Sequence, residues 1–293
     1  MFSWLLKKLH KKDCWEKQCI THEVIAFTKF AKIYSFFSKK KALIGKVSKC
    51  SEDIEITCDI LNLIDRNMQY PLLRTIATGE VLCKVLAYRD LKPGQKILIP
   101  YLDGNNQPAS ATYRITKIFD LWQGMPAFGL ESPGLDSIIL FRGTDMSLKT
   151  KQSFFSCLSD LDPGGPGLNT FFNARLGLHK WMLGGKTRVM GFSLGGILAA
   201  YTAIFEHNLI SIDKRNPSFS FNAPGASQKI FNKWEDLKNK PPLLVFTTKN
   251  DFISKIGKTI ALETYELSTK GITPLNAHVE LITASPIFYL NPK

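Results

Sequence analysis

Gly191-Phe-Ser-Leu-Gly195 sets a serine between two glycines, each two positions away. A serine held in a sharp turn presents its hydroxyl as a nucleophile, and glycines at those positions let neighbouring backbone pass close by. The flanking sequence suits that use. Residues 187–190 are a short β-leaning run, and residues 197–205 are apolar and helix-forming. Strand, turn and helix in that order lift the Ser193 hydroxyl clear of a sheet. They also aim the amide of Leu194, at a helix N-terminus, toward developing negative charge. Without this setting the five residues would be no more than a glycine-rich turn.

A serine hydroxyl does not ionise unaided at neutral pH. It needs a base, and the base needs a carboxylate to fix its tautomer. In a sheet entered through this kind of turn, the chain order is serine, acid, histidine. Of the five histidines, 10, 22, 179, 207 and 278, only His207 and His278 follow Ser193. His207 lies at the far end of the helix after the serine, roughly 20 Å away by helical rise. His278 remains, in the stretch Pro274-Leu-Asn-Ala-His278, which reads as a loop. For the acid, Asp251 stands just past the apolar run 243–247, at the carboxyl end of an expected strand, where catalytic groups collect. Asp213, Asp236, Glu263 and Glu266 are weaker choices, in polar, helical or strand settings. A second oxyanion donor should come from the loop after an earlier buried strand. Residues 137–141 followed by Arg142-Gly-Thr144 point to the amide of Thr144, with its hydroxyl as helper.

These groups need a scaffold. The pattern over 51–78 is helical, with Ala77-Thr-Gly79 reading as a helix end. Strands are expected over 81–88, 96–101, 112–121, 137–141, 217–222, 243–247 and 260–267, and helices over 171–183 and 230–237. Strands alternating with helices argue a mostly parallel sheet with helices on both faces. The polar, glycine-rich passage 146–170 is a candidate lid over the site.

Hydrophobic content of 44% and charged content of 22% exclude a disordered chain. The net charge of +13 favours an acidic partner. No nucleic-acid motif accompanies it, so nucleic acid is not expected, and an anionic membrane surface is favoured over an acidic protein as the partner. The first 50 residues are the most basic part, and Phe2, Leu5, Leu6 and Leu9 fall at helical spacing with lysines opposite. Aromatics at 27, 30, 34 and 37 recur at helical spacing in a second run, as core residues would. The six cysteines include no C-x-x-C pair, and no histidine lies at zinc-ligand spacing from them, so a metal site is not expected, and nucleophilic chemistry by Ser193, Asp251 and His278 asks for no organic cofactor. No secretory signal and no transmembrane run is apparent, which fits a cytoplasmic or peripherally membrane-associated protein.

Phe141-Arg-Gly-Thr144, Gly191-Phe-Ser-Leu-Gly-Gly196, Ser220-Phe-Asn-Ala-Pro224, Asn250-Asp251 and the late His278 together resemble the ordered landmarks of the class 3 lipases. Those are α/β-hydrolases acting on glyceride and related esters. The resemblance covers about residues 137–282. It implies Ser193 as nucleophile, Asp251 and His278 as its partners, and the Thr144 and Leu194 amides as oxyanion donors. Phe192 departs from the family, which usually has histidine there, as does Phe-Ile-Ser after Asp251. The expected organisation is an α/β-hydrolase catalytic domain over 81–293, preceded by a basic, largely helical extension over 1–80 packed on or tethered to it, read from its charge and helical spacing because the resemblance does not reach it. The implied activity is carboxylester hydrolysis of lipids through an acyl-enzyme. Phospholipase, acyltransferase and thioesterase readings use the same three residues. A catalytically silent membrane- or partner-binding module is the alternative outside enzymes.

Overall fold

A computed structural model describes residues 54–55, 71–121, 125–144, 165–268, 274–279 and 289–292. The expected basic N-terminal helix, the aromatic run after it and most of the candidate lid lie outside these residues.

The described strands form one ten-stranded sheet whose spatial order follows chain order. They are β1 (Ile54–Glu55), β2 (Lys96–Leu102), β3 (Pro108–Leu121), β4 (Met125–Glu131), β5 (Ser137–Phe141), β6 (Thr187–Phe192), β7 (Ser218–Phe221), β8 (Leu243–Thr248), β9 (Glu263–Ser268) and β10 (Tyr289–Pro292). From β5 to β9 every neighbouring pair is parallel. β2 to β5 form an antiparallel meander on one side, and β10 closes the other side antiparallel to β9. The helices are α1 (Pro71–Lys84), α2 (Leu168–Met182), α3 (Leu194–Phe205), α4 (Gln228–Glu235) and α5 (Pro274–Val279).

The parallel strands are short and apolar because both of their faces are covered. All six residues of β6 are buried, as are all six of β8. Period-two alternation sorts their side chains between two cores. Ile138, Leu140, Met190, Phe192, Phe219, Phe221 and Phe246 pack on one face with Ile76, Leu82 and Val85 of the α1 region and with Val279 of α5. Ile139, Phe141, Val189, Leu243 and Val245 pack on the other with Phe171 of α2, Leu198 of α3 and Trp234 of α4. Each such side chain contributes about 1.5–3 kcal/mol relative to exposure. α3 is apolar all round and buried along nearly its whole length, as a helix without a polar face must be. This is an α/β architecture, a mixed sheet whose parallel half, β5 to β9, lies between two helical layers. No helix among the described residues is long and apolar enough to cross a membrane.

Three local expectations differ from the structure. Residues 81–88 are not a strand: they complete α1 and a single 3₁₀ turn, Leu86–Tyr88. Glu80 and Lys84, four apart and 2.7 Å from one another, are the helical signal in that segment. Gly79 does not end α1. It sits inside the helix because a Cβ there would come within 2.6 Å of the Phe219 ring, so glycine permits close packing on β7. α1 therefore runs through residue 80 and packs on the sheet. The stretch ending in His278 is a helix, α5, not a loop. The sequence reading also places no strand at β4, where Pro126 and Gly129 argue against one. Gly129 is needed because a Cβ would meet the Trp181 ring at 2.7 Å.

Cys83 is fully buried in the α1 core. Burial raises its thiol well above the ordinary range, with smaller opposed effects from Lys84 and Glu80. A raised pKa leaves little thiolate at pH 8, and the thiolate is the reactive form. Site-mapped iodoacetamide labelling at pH 8 should leave Cys83 unmodified in the native protein and modify it in urea. Labelling of native Cys83 at the denatured rate would contradict this packing.

Candidate active site

The site lies at the carboxyl ends of β5 to β8. Its geometry starts with Ser193, between β6 and α3, at φ 55° and ψ −127°. That region is open to few residues with a side chain, so the surroundings must hold it. Its N–H donates to the Phe221 carbonyl on β7 at 2.9 Å, and its own carbonyl accepts from Gly196 at 2.9 Å. The two glycines of the pattern admit the turn by close approach. A Cβ on Gly191 would overlap the Gly195 carbonyl, and one on Gly195 would lie 2.5 Å from the Phe141 carbonyl.

His278 comes from α5. Its Nε2 lies 2.9 Å from Ser193 Oγ and its Nδ1 lies 3.1 Å from Asp251 Oδ1. Because an ionised carboxylate only accepts, Nδ1–H donates to Asp251, and Nε2 is left to accept from the serine hydroxyl. All three residues are buried, at 3%, 2% and 0% exposure for Ser193, His278 and Asp251. Asp251 Oδ1 also accepts from the Ile253 amide at 3.1 Å. Asp251 Oδ2 has no hydrogen-bond partner among the described residues. The Phe192 ring lies 4.9 Å from the His278 imidazole, centroid to centroid.

Leu194 is the first residue of α3, where amides lack intrahelical acceptors. The loop after β5 reaches the same place. A Cβ on Gly143 would lie 2.5 Å from the Phe192 carbonyl and 3.4 Å from Ser193 Cβ. Thr144 follows directly and is half-buried, at the last described position before residue 165.

The weaker acids are occupied elsewhere. Asp213 accepts from Arg215 at 2.8 Å and from Asn216 at 3.0 Å. Glu263 accepts from the Tyr265 hydroxyl, which pushes that phenol up to about 12. Glu266 lies in β9, opposite Asn291, and Asp236 ends α4. His207 turns back to the Ile204 carbonyl at 3.2 Å, and His179 pairs with Glu206 at 2.7 Å.

Sequence reasoning misses several residues around this line. Tyr88, from the turn after α1, puts its hydroxyl beside Gly143, with its ring 5.2 Å from the Arg142 guanidinium. The ion pair Glu80–Lys84 is almost fully buried below Phe192, with Lys84 Nζ 5.6 Å from that ring. Asn222, one residue past β7, bonds to Thr248, three residues before Asp251, and to the carbonyls of Ala277 and His278. The available signals were the helical spacing of Glu80 and Lys84, and an asparagine at a strand end, where asparagine tolerates positive φ.

No protein-family model matches the sequence, and curated proteins give no match. Solved structures do. The native Rhizomucor miehei lipase propeptide complex is similar at 16% identity and TM-score 0.43, over 69% of each chain. A triacylglycerol lipase from Penicillium expansum is similar at 14% identity and TM-score 0.41, over 68% of this chain and 80% of that one. A lipase from Rhizopus microsporus var. chinensis is similar at 15% identity and TM-score 0.35, over 76% of this chain and 79% of that one.

The turn's steric demand gives a paired test. Gly191→Ala should destabilise the protein by about 1–3 kcal/mol, the range for forced overpacking. Gly177→Ala should instead stabilise it by about 0.5–1 kcal/mol, because Gly177 lies within α2 with nothing within 4 Å of a Cβ. Urea unfolding midpoints check both, and a Gly191→Ala midpoint at or above wild type would contradict the close approach.

Proposed function

We propose that this chain is a serine hydrolase that cleaves carboxylic esters of lipids through an acyl-enzyme. The observation that carries the reading is the buried line Ser193 Oγ, His278 Nε2, His278 Nδ1, Asp251 Oδ1, with its two contacts of 2.9 and 3.1 Å. A merely structural histidine would not need a serine held at positive φ on one side and a fully buried carboxylate on the other.

In this reading Ser193 Oγ attacks the acyl carbonyl carbon while its proton passes to His278 Nε2. Asp251 holds Nδ1–H and stabilises the imidazolium that forms. The carbonyl oxygen becomes an oxyanion facing the Leu194 amide and, from the loop after β5, the Thr144 amide. Collapse of this intermediate breaks the ester bond, and the departing alcohol takes the proton from His278. Water then adds to the acyl-serine, giving its proton to His278. The serine leaves with that proton, and the carboxylic acid is released. None of these steps asks for a metal or an organic cofactor.

The choice of lipid acyl esters follows the ordered motifs shared with the class 3 lipases. The catalytic unit is proposed to include α1, since Tyr88 and the Glu80–Lys84 pair stand against the elbow. A basic N-terminal extension touching an anionic membrane remains part of the proposal and lies outside the described residues.

Hydrolysis of p-nitrophenyl butyrate and of longer acyl esters tests the reading. Ser193→Ala should lower kcat by about 10⁴-fold or more with the unfolding midpoint preserved. Asp251→Asn should lower kcat on the order of 10⁴-fold, because an amide acceptor no longer enforces the tautomer. Full activity in Ser193→Ala would end the proposal.

A further inference from the structure

Asn222 is buried at 1% exposure and has a left-handed backbone, φ 46°. Its side-chain amide uses its full hydrogen-bonding capacity. Nδ2 donates to the carbonyls of Ala277 at 3.0 Å and His278 at 2.8 Å. Oδ1 accepts from the Thr248 amide at 2.8 Å and the Thr248 hydroxyl at 3.1 Å. Two donors and two acceptor positions are the whole inventory of an amide side chain, and the four partners fix which end is oxygen.

The partners are the ones that matter for the site. Ala277 and His278 lie in the last turn of α5, whose final carbonyls have no intrahelical donors. Asn222 caps that turn, and the turn carries the base. Thr248 ends β8, and its carbonyl accepts from the Asp251 amide at 2.9 Å, so the same side chain holds the turn that carries the acid. The backbone beside it completes the set. Phe221 accepts from the Ser193 amide at 2.9 Å, and the Asn222 amide donates to Phe246 at 2.8 Å. Asn222 thus ties together the segments that present Asp251 and His278, while the residue before it, Phe221, holds the Ser193 amide.

Resting on the hydrolase reading above, we propose that Asn222 is a positioning residue that fixes α5, and with it the His278 imidazole, against Asp251 and Ser193. It touches no reacting atom. α5 is only six residues long, too short to hold itself in place by its own hydrogen bonds. Without the amide, the base keeps its chemistry and loses its place. A misplacement of about 1 Å at a reacting group costs on the order of 100-fold in rate.

Two variants separate the side chain from the backbone. Asn222→Asp keeps the acceptor for Thr248 and removes the two donations to α5. Asn222→Gly keeps the positive φ and removes the whole side chain, and it stands in if the aspartate variant fails to fold. Two readouts are taken on the full chain: steady-state hydrolysis of p-nitrophenyl butyrate, and hydrogen–deuterium exchange by mass spectrometry. The expected result is a kcat lowered about 100-fold with KM little changed. Faster exchange should appear in a peptide spanning 274–279, with exchange over 187–200 unchanged. Unaltered exchange over 274–279 would overturn the proposal whatever happens to the rate. Faster exchange there with kcat at the wild-type value would also overturn it, since the anchor would then not serve the base. If wild type itself hydrolyses no ester while exchange over 274–279 rises in the variants, the anchor of α5 is supported and the hydrolase reading fails.

Discussion

Ser193 sits where a residue with a side chain is strained by about 1–3 kcal/mol, and the fold around it is arranged to hold it there. Three constraints converge on that one backbone. β7 accepts its amide hydrogen, α3 starts on its carbonyl, and the backbone of Gly191 and Gly195 closes in from both sides. Parallel pairing of β5, β6 and β7 sets these distances, since Phe141 stands opposite Gly191 and Gly191 opposite Ser220. A slip of one residue would put Phe192 on the wrong face and take the serine out of reach of His278.

The aromatic layer below the elbow has a second role. The Phe192 ring lies near both the His278 ring and Lys84, while Phe221 and Phe246 stack at 5.0 Å beneath the ends of β7 and β8. The ends of these strands carry Ser193, Asn222 and Asp251, so packing energy in this layer is spent where rigidity is needed. The buried Glu80–Lys84 pair joins this layer from α1. Removing one partner would take a 2.7 Å ion pair away from a buried charge, a larger effect than the pair's own contribution to stability.

Much of the candidate site was legible in the sequence because its demands are local. The elbow needs glycine at fixed offsets, and the strands covered on both faces need unbroken apolar runs, so Ser193, β5, β6 and β8 stand out in the chain. His278 and Asp251 emerged from chain order and elimination, which asks only that few candidates exist. What was not legible depends on packing between distant segments. Residues 81–88 carry β-branched and aromatic residues yet finish a helix, because their apolar face meets the sheet. Gly79 resembles a helix stop, and only the Phe219 ring explains it. Asn222 resembles a turn residue, and its side-chain partners lie 26 and more positions away.

The central claim is that folding turns Ser193 from an ordinary hydroxyl into a nucleophile. Fluorophosphonate labelling, mapped by mass spectrometry in native and urea-unfolded protein, tests it most directly. The account predicts one adduct, on Ser193, in the native protein, and none once the protein is unfolded. An adduct on another residue, or Ser193 labelling at the same rate in urea, would contradict it.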